Sequence, residues 1–349
     1  EFNKAARLLS PGDALKASSW QQQQRVGELC DWIFARVPTR IGVVKLLETA
    51  EFLVSKNQFE LARRKCFVPV VEAGLLERTT STVGGVSLDG GRQQPIGSGG
   101  SLTQRDCRRL HAVALLGAAR CDAALLATRD AALRHPQTLA QSLAILARLR
   151  AATQIAMLEE SLYWLVHNGT VHIHEVCAPM ITAGFSGEVV EYLIFAVLCH
   201  EAHVLLAAPQ HLQWRVALIA EVCHCYDDVK RPDAASAFIT RSLVEIADLQ
   251  ALEALDPVPQ KPEVAAMYSG AETKLRILAA RHDESFTETA ALTAALHVPG
   301  AFPLPGDKAR CLLEILHDPA RRVVRHAPPV AGSRAAVAVA AAAAVIAPL

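Results

Sequence analysis

Apolar residues return along the middle of the chain at helical spacing. Ile173, Val176, Cys177, Met180 and Gly184 fall at i, i+3, i+4, i+7 and i+11, one stripe of a 3.6-residue helix. A second stripe runs through Val189, Tyr192, Leu193 and Ala196. A third takes Val216, Ile219, Ala220, Cys223 and Tyr226, and a fourth Ile239, Leu243, Ile246 and Leu249. Four helices in two pairs are predicted. The pairs are related: Glu175-Val176-Cys177 recurs 46 residues on as Glu221-Val222-Cys223, and at that offset Tyr192 falls on Phe238 and Leu193 on Ile239. A helix pair cannot shelter its apolar stripe alone, whereas stacked pairs share a continuous core. The pattern therefore predicts an all-α fold, an α-solenoid of stacked antiparallel helix pairs. It is tetratricopeptide-like, with a period longer than the ~34 residues of that repeat and without its full signature.

The turns between these stripes carry stop and start chemistry. Asn168-Gly169 offers a left-handed C-terminal cap, and Thr170 and Ser186 can accept bonds from early amides of the helices after them. Pro232 suits a first helical position and Asp233 the positive end of the helix dipole. Pro179 lies inside a helical pattern and removes a backbone bond to Glu175, which predicts a kink or local break.

Helical patterning extends on both sides. It predicts helices over Trp20–Arg36, with Val26, Leu29, Ile33 and Phe34 inward, then Ile41–Val54 and Phe59–Leu76. Further helices are predicted over Leu102–Ala118, Arg120–Arg134 and Gln137–Arg150, with a stop at His135-Pro136. Val264–His282, Thr287–His297 and Lys308–His317 complete the set. The organisation is a helical segment over 1–78, a flexible Gly/Ser-rich insertion over 79–101 and a helical-repeat core over 102–255. A linker with further helices follows over 256–318, then an Ala/Pro-rich tail over 319–349. No alternating β-branched run requires a sheet.

Composition narrows the function. Of the 349 residues 51% are hydrophobic but only 5% aromatic, so the core must be built from Ala, Leu and Val. Lys plus Arg and Asp plus Glu both total 35, leaving no global field to gather nucleic acid or an anionic membrane. The apolar run Ala335–Leu349 is short of the ~20 residues that span a bilayer. Nine cysteines scattered through apolar stretches read as core residues of a protein in a reducing compartment. The chain opens at Glu1 rather than Met, which reads as an N-terminal or internal fragment of something longer.

No catalytic, cofactor-binding or metal residue is assigned. His172, His174, Cys177, Cys199, His200, His203, Cys223, His224 and Cys225 are a local enrichment of zinc-type ligands, and the sharpest enzyme-like hint in the chain. Yet His200 and His203 stand at i and i+3, not at the i and i+4 of a metalloprotease helix, and no Cys-x-x-Cys occurs. Gly184-Phe185-Ser186-Gly187 misses nucleophile-elbow spacing, and the glycine-rich insertion lacks the Gly-Lys-Ser/Thr of a phosphate loop. Asn168-Gly169-Thr170 matches an N-glycosylation acceptor, but a turn explains it without requiring secretion. Trp214 and Arg215 are candidate protein-interface anchors, weighed against ordinary helix packing for Trp214 and a solvated Arg215.

Residue order adds a resemblance. Leu162-Tyr163-Trp164-Leu165, the Asn168-Gly169-Thr170 segment, Glu191-Tyr192-Leu193, Trp214-Arg215 and the stretch Cys223 to Tyr226 resemble the cilia- and flagella-associated protein 54 family over roughly Leu158 to Leu255. The resemblance implies a non-enzymatic helical scaffold of the axoneme's central apparatus, on a projection from a central-pair microtubule, needed for cilium assembly and motility. The implied location is the cytoplasm and cytoskeleton, in the axoneme of the cilium or flagellum. Implied partners are other projection proteins, a calmodulin-containing subcomplex and the central-pair microtubule, directly or indirectly, with no cofactor, nucleic acid or membrane. The competing reading is a soluble helical-repeat adaptor that binds a peptide or protein outside cilia.

Overall fold

The computed structural model describes residues 19–36, 39–73, 103–131, 133, 135–255 and 261–280, and every extended element among them is a helix. The expected insertion over 79–101, the helices Thr287–His297 and Lys308–His317 and the tail lie outside the described residues. The chain divides into residues 1–176 and 177–349.

In the first unit, α1 (Ser19–Arg36) packs on α2 (Thr39–Ser55), and α2 on α3. Helix α3 is one path in three pieces: Phe59–Ala62, a wide π turn over Arg63–Phe67, then Val68–Glu72. Helices α4 (Gln104–Arg129) and α5 (Pro136–Met157) follow, α4 packing on α2, α3 and α5. The chain then passes through a short turn, Glu160–Leu162, into α6 (Tyr163–Thr182), within which the division falls. The core of this unit joins Cys30, Ile33, Leu46, Ala50, Cys66, Phe67, Leu110, Ala114, Ala118 and Cys121. Phe34, expected inward, is 50% exposed, because Cys30 and Ile33 already fill the buried line of α1.

Sequence reading breaks α4 at Ala118, but one helix runs through. Its start is a capping box: the Thr103 hydroxyl accepts from the Asp106 amide (3.1 Å) while the Asp106 carboxylate accepts from the Thr103 amide. By length and composition α4 could cross a bilayer, yet its apolar line is core, and Gly117 shows how tightly it packs. A Cβ there would sit 2.2 Å from the Phe67 ring.

The second unit contains α7 (Ser186–Ala202), α8 (Leu212–Asp228), α9 (Pro232–Ala254) and α10 (Pro262–Ala280). Helix α7 packs on α8, α8 on α9 and α10, and α9 on α10. In both units each helix rests on the next one or two in the chain, the contact pattern of an α-solenoid. The repeat is real in the backbone as well. Helices α6 and α8 end at Thr182 and Asp228, and α7 and α9 begin at Ser186 and Pro232, each again 46 residues apart. Leu193 and Ile239 are both fully buried.

The turns correct the sequence reading. Gly184, expected in the first stripe, is exposed at φ +92° and closes α6: the Phe185 amide donates to the Met180 carbonyl (2.9 Å) and the Gly184 amide to Ile181 (3.0 Å). Lys230, at the repeat offset, does the same at φ +58°, with Arg231 donating to Tyr226 (2.9 Å). Asn57 closes α2 alike, at φ +57°. These are Schellman ends with a left-handed residue past the helix.

Asn168-Gly169 is no cap at all, since α6 continues through it. Gly169 stands where α5 comes close, and a Cβ would lie 2.2 Å from the Thr153 hydroxyl. Thr170 is buried and its hydroxyl donates back to the His167 carbonyl (2.7 Å), which also removes the loop a glycosylation acceptor needs. Nor does Pro179 stop the helix, which runs on to Thr182; Glu175 and Pro179 lie on its exposed side, where water can take the orphaned carbonyl. Ser186 is not the cap of α7 either. Phe185 holds that position, and Ser186 is buried with its hydroxyl donating to Asp228 (2.6 Å). Pro232 and Asp233 stand as expected, in the first turn of α9.

Candidate interaction surfaces

Chemistry-bearing side chains gather in one place in each unit. In the first, α3, α4 and α5 border a pocket of about 310 Å³ lined by Glu60, Arg63, Asp122, Arg129, Gln141 and Arg148 among apolar neighbours. Asp122 is only 15% exposed because it sits between two cations: Arg63 contacts one carboxylate oxygen and Arg148 Nη1 lies 2.5 Å from the other. Three guanidinium groups therefore border one hollow of mixed polar and apolar lining, two of them fixed by a shared acid. Planar guanidinium groups suit carboxylate recognition. No spacing in the sequence announces this, because its residues come from three helices and meet only through packing.

In the second unit the cluster is internal. Arg215 on α8 is 2% exposed, so the solvated reading does not hold. Its Nη1 lies 3.9 Å from Glu245 of α9, and its Nε has no hydrogen-bond partner. Arg241 contacts Glu201 and approaches Glu245 at 3.8 Å, linking α7 to α9. Burial pushes the Glu201 carboxyl up to about 7; the neighbouring Glu245 adds to this, and Arg241 pulls the other way. Trp214, the other candidate anchor, is half-buried, and Arg215 at its side turns into the fold.

The histidines and cysteines do not converge as ligands. His172 pairs with Glu175 (2.8 Å) within α6. Cys177, Cys199, Cys223 and Cys225 are buried, and burial pushes the Cys177 thiol well up, reinforced by Cys225. His200 meets His211 edge to face, with ring centroids 6.1 Å apart. Among the described residues no group of three or more His, Cys, Asp or Glu side chains is arranged to hold a metal ion.

Comparison with known proteins gives a consistent answer. The family model described as Cilia- and flagella-associated protein 54 matches residues 21–284, well beyond the stretch whose residue order carries the resemblance. A Chlamydomonas reinhardtii protein of that name is 33% identical over 344 residues, covering 93% of this chain and 10% of the relative. The Homo sapiens protein is 32% identical over 165 residues, 47% of this chain and 5% of the relative. The Mus musculus protein is 31% identical over 170 residues, 49% and 6% respectively. The chain thus spans about a tenth or less of the relatives it matches.

Proposed function

The chain belongs to the cilia- and flagella-associated protein 54 family, and on that premise we propose that it is part of a structural scaffold of the ciliary and flagellar central apparatus. In this reading it sits in the axoneme, on a projection from a central-pair microtubule, and serves cilium assembly and motility without catalysis. Its partners are other projection proteins, a calmodulin-containing subcomplex and the microtubule itself, directly or through them. Nucleic acid and membrane have no part in it. The observation that carries the reading is the family match over residues 21–284. Helices resting on successive neighbours agree with it, because such stacks present long surfaces rather than one catalytic cleft.

The test is a null strain. Loss of the full-length protein is expected to leave the nine outer doublets of the axoneme intact, remove or weaken a central-pair projection, and impair beating. Normal projections with normal beating would overturn the proposal. The Arg-bordered hollow between α3, α4 and α5 also suits an adaptor that binds a peptide with acidic and apolar side chains outside cilia. A detergent-resistant axonemal signal favours the scaffold, and a diffuse cytosolic one the adaptor.

A further inference from the structure

The cysteines were expected to be inert core residues, and one pair is placed otherwise. Cys30 of α1 and Cys66 of α3 lie 36 residues apart in sequence with their sulfur atoms 3.6 Å apart, and both are fully buried. We propose that Cys30 and Cys66 are a redox modification site, a dithiol that closes reversibly to a disulfide and staples α1 to α3.

Three observations carry it. The sulfurs need to approach by only about 1.5 Å to reach disulfide bonding distance. Cys66 lies in the π turn Arg63–Phe67, where the wider backbone ring gives slack that a regular helix lacks. Directly beside the pair, Lys65 Nζ meets Asp31 Oδ2 at 2.7 Å, so the neighbouring residues already bring α1 and α3 together at this point.

The two thiols share one hydrogen bond in which either sulfur can donate, so each can ease ionisation of the other. Lys65 beside the pair favours a thiolate, against burial and Asp31. Whichever sulfur is ionised makes the first attack. With a low-molecular-weight disulfide as oxidant, that sulfur attacks one oxidant sulfur and expels a thiolate, leaving a mixed disulfide. The other sulfur of the pair then attacks the first and expels the second thiolate. The two protein thiols lose two electrons, the oxidant gains them, and the two protons pass to the released thiolates. Cys121, also buried in this core, is the internal competitor; burial pushes its thiol up to about 12, which leaves it a poor nucleophile. Because both partners are shielded from solvent, oxidant enters when α1 lifts from α3, so the rate reports that local opening.

The experiment equilibrates the 349-residue chain in mixtures of glutathione and its disulfide, followed by thiol counting and non-reducing peptide mass spectrometry. The expected result is loss of two thiols per chain, a dominant Cys30–Cys66 cross-link, and a thermal midpoint a few degrees higher when oxidised. Cys121→Ala should leave the cross-link in place, and Cys66→Ala should abolish both link and midpoint shift. A dominant link to Cys121 or between chains would overturn the proposal. So would a folded wild-type chain that forms no internal link at equilibrium, a readout that needs no variant to fold.

Discussion

Residues 1–176 and residues 177–349 bury their polar groups differently. Among the described residues the polar side chains wholly buried in the first unit are hydroxyl-bearing, Thr138, Ser142, Thr153 and Thr170, while Arg63, His111 and His167 bury single nitrogens and stay partly exposed. The second takes in Arg215, Glu221, His200, His203 and His224 besides Ser186 and Ser242. A buried hydroxyl can be satisfied by its own helix, as Thr153 is by the Leu149 carbonyl (2.8 Å), and so places no demand on which helix packs against it. A buried ion needs a particular neighbour. Arg215 thus ties α8 to Glu245 of α9, whereas the first unit keeps its ions at the rim of a hollow. The lesson is that one helical architecture can be held by shape in one part and by charge pairing in another.

The largest expected effect tests that contrast directly. Arg215→Ala should lower unfolding free energy by about 2–5 kcal/mol, because it empties the space of a large, fully buried side chain. Asp122→Asn, which breaks the part-exposed pairs of the first unit, should cost about 1 kcal/mol or less. Urea unfolding of the two variants measures both, and equal losses would erase the distinction. Arg215→Met then separates charge from volume: stability near wild type would mean that the guanidinium fixes helix arrangement rather than adding net stability.

Much of this was legible beforehand. The 3.6-residue stripes located α1, α2, α7, α8, α9 and α10 to within a few residues, because helix burial imposes that period wherever one face is sheltered. The 46-residue offset read from Glu175-Val176-Cys177 also holds for the turns after α6 and α8. What misled was chemistry with more than one use. Gly169 reads as a cap but serves close approach to Thr153, and only the neighbouring helix decides between the two. Lys230 gives no sign of a left-handed conformation, because lysine is not a residue that favours it. Arg215 reads as surface, since a lone Arg says nothing of the Glu245 thirty residues away. The Arg-lined hollow and the Cys30 and Cys66 contact depend on distances between helices, which no single helix encodes.

A smaller effect separates the units by pH. Glu201 has a folded pKa of about 7, above its ordinary value of 4.5, so between those values the folded state holds more proton than the unfolded one. Stability from this group is therefore present at low pH and lost as pH rises towards 7. His172, in the first unit, is the reverse: burial lowers its pKa despite Glu175, so its contribution grows as pH rises towards 6.5. His211 in the second unit has the same direction as His172 and offsets part of the Glu201 loss. Comparing unfolding free energies from pH 5 to 7.5, wild type should fall relative to Glu201→Gln by about 1–2 kcal/mol, allowing for partial solvent access. Parallel curves would show that Glu201 ionises alike in both states.

The smallest effect lies in the turns, where charge plays no part and the units should behave alike. Gly184 has φ +92° and nothing within 4 Å of an added Cβ, so Gly184→Ala isolates the backbone cost of a left-handed residue, about 1 kcal/mol. Lys230 already bears that cost at φ +58°, and Lys230→Gly should stabilise by about 0.5–1 kcal/mol after the added freedom of the unfolded chain is counted. Asn57, at φ +57° in the first unit, tolerates this conformation better than most side chains, so Asn57→Gly should be close to neutral. Midpoint shifts in the order Gly184→Ala down, Asn57→Gly flat, Lys230→Gly up would leave the interior polar groups as the real difference between units. A Lys230→Gly loss would instead mean that the lysine side chain holds the α8 to α9 turn, extending the second unit's reliance on charge from its interior to its connections.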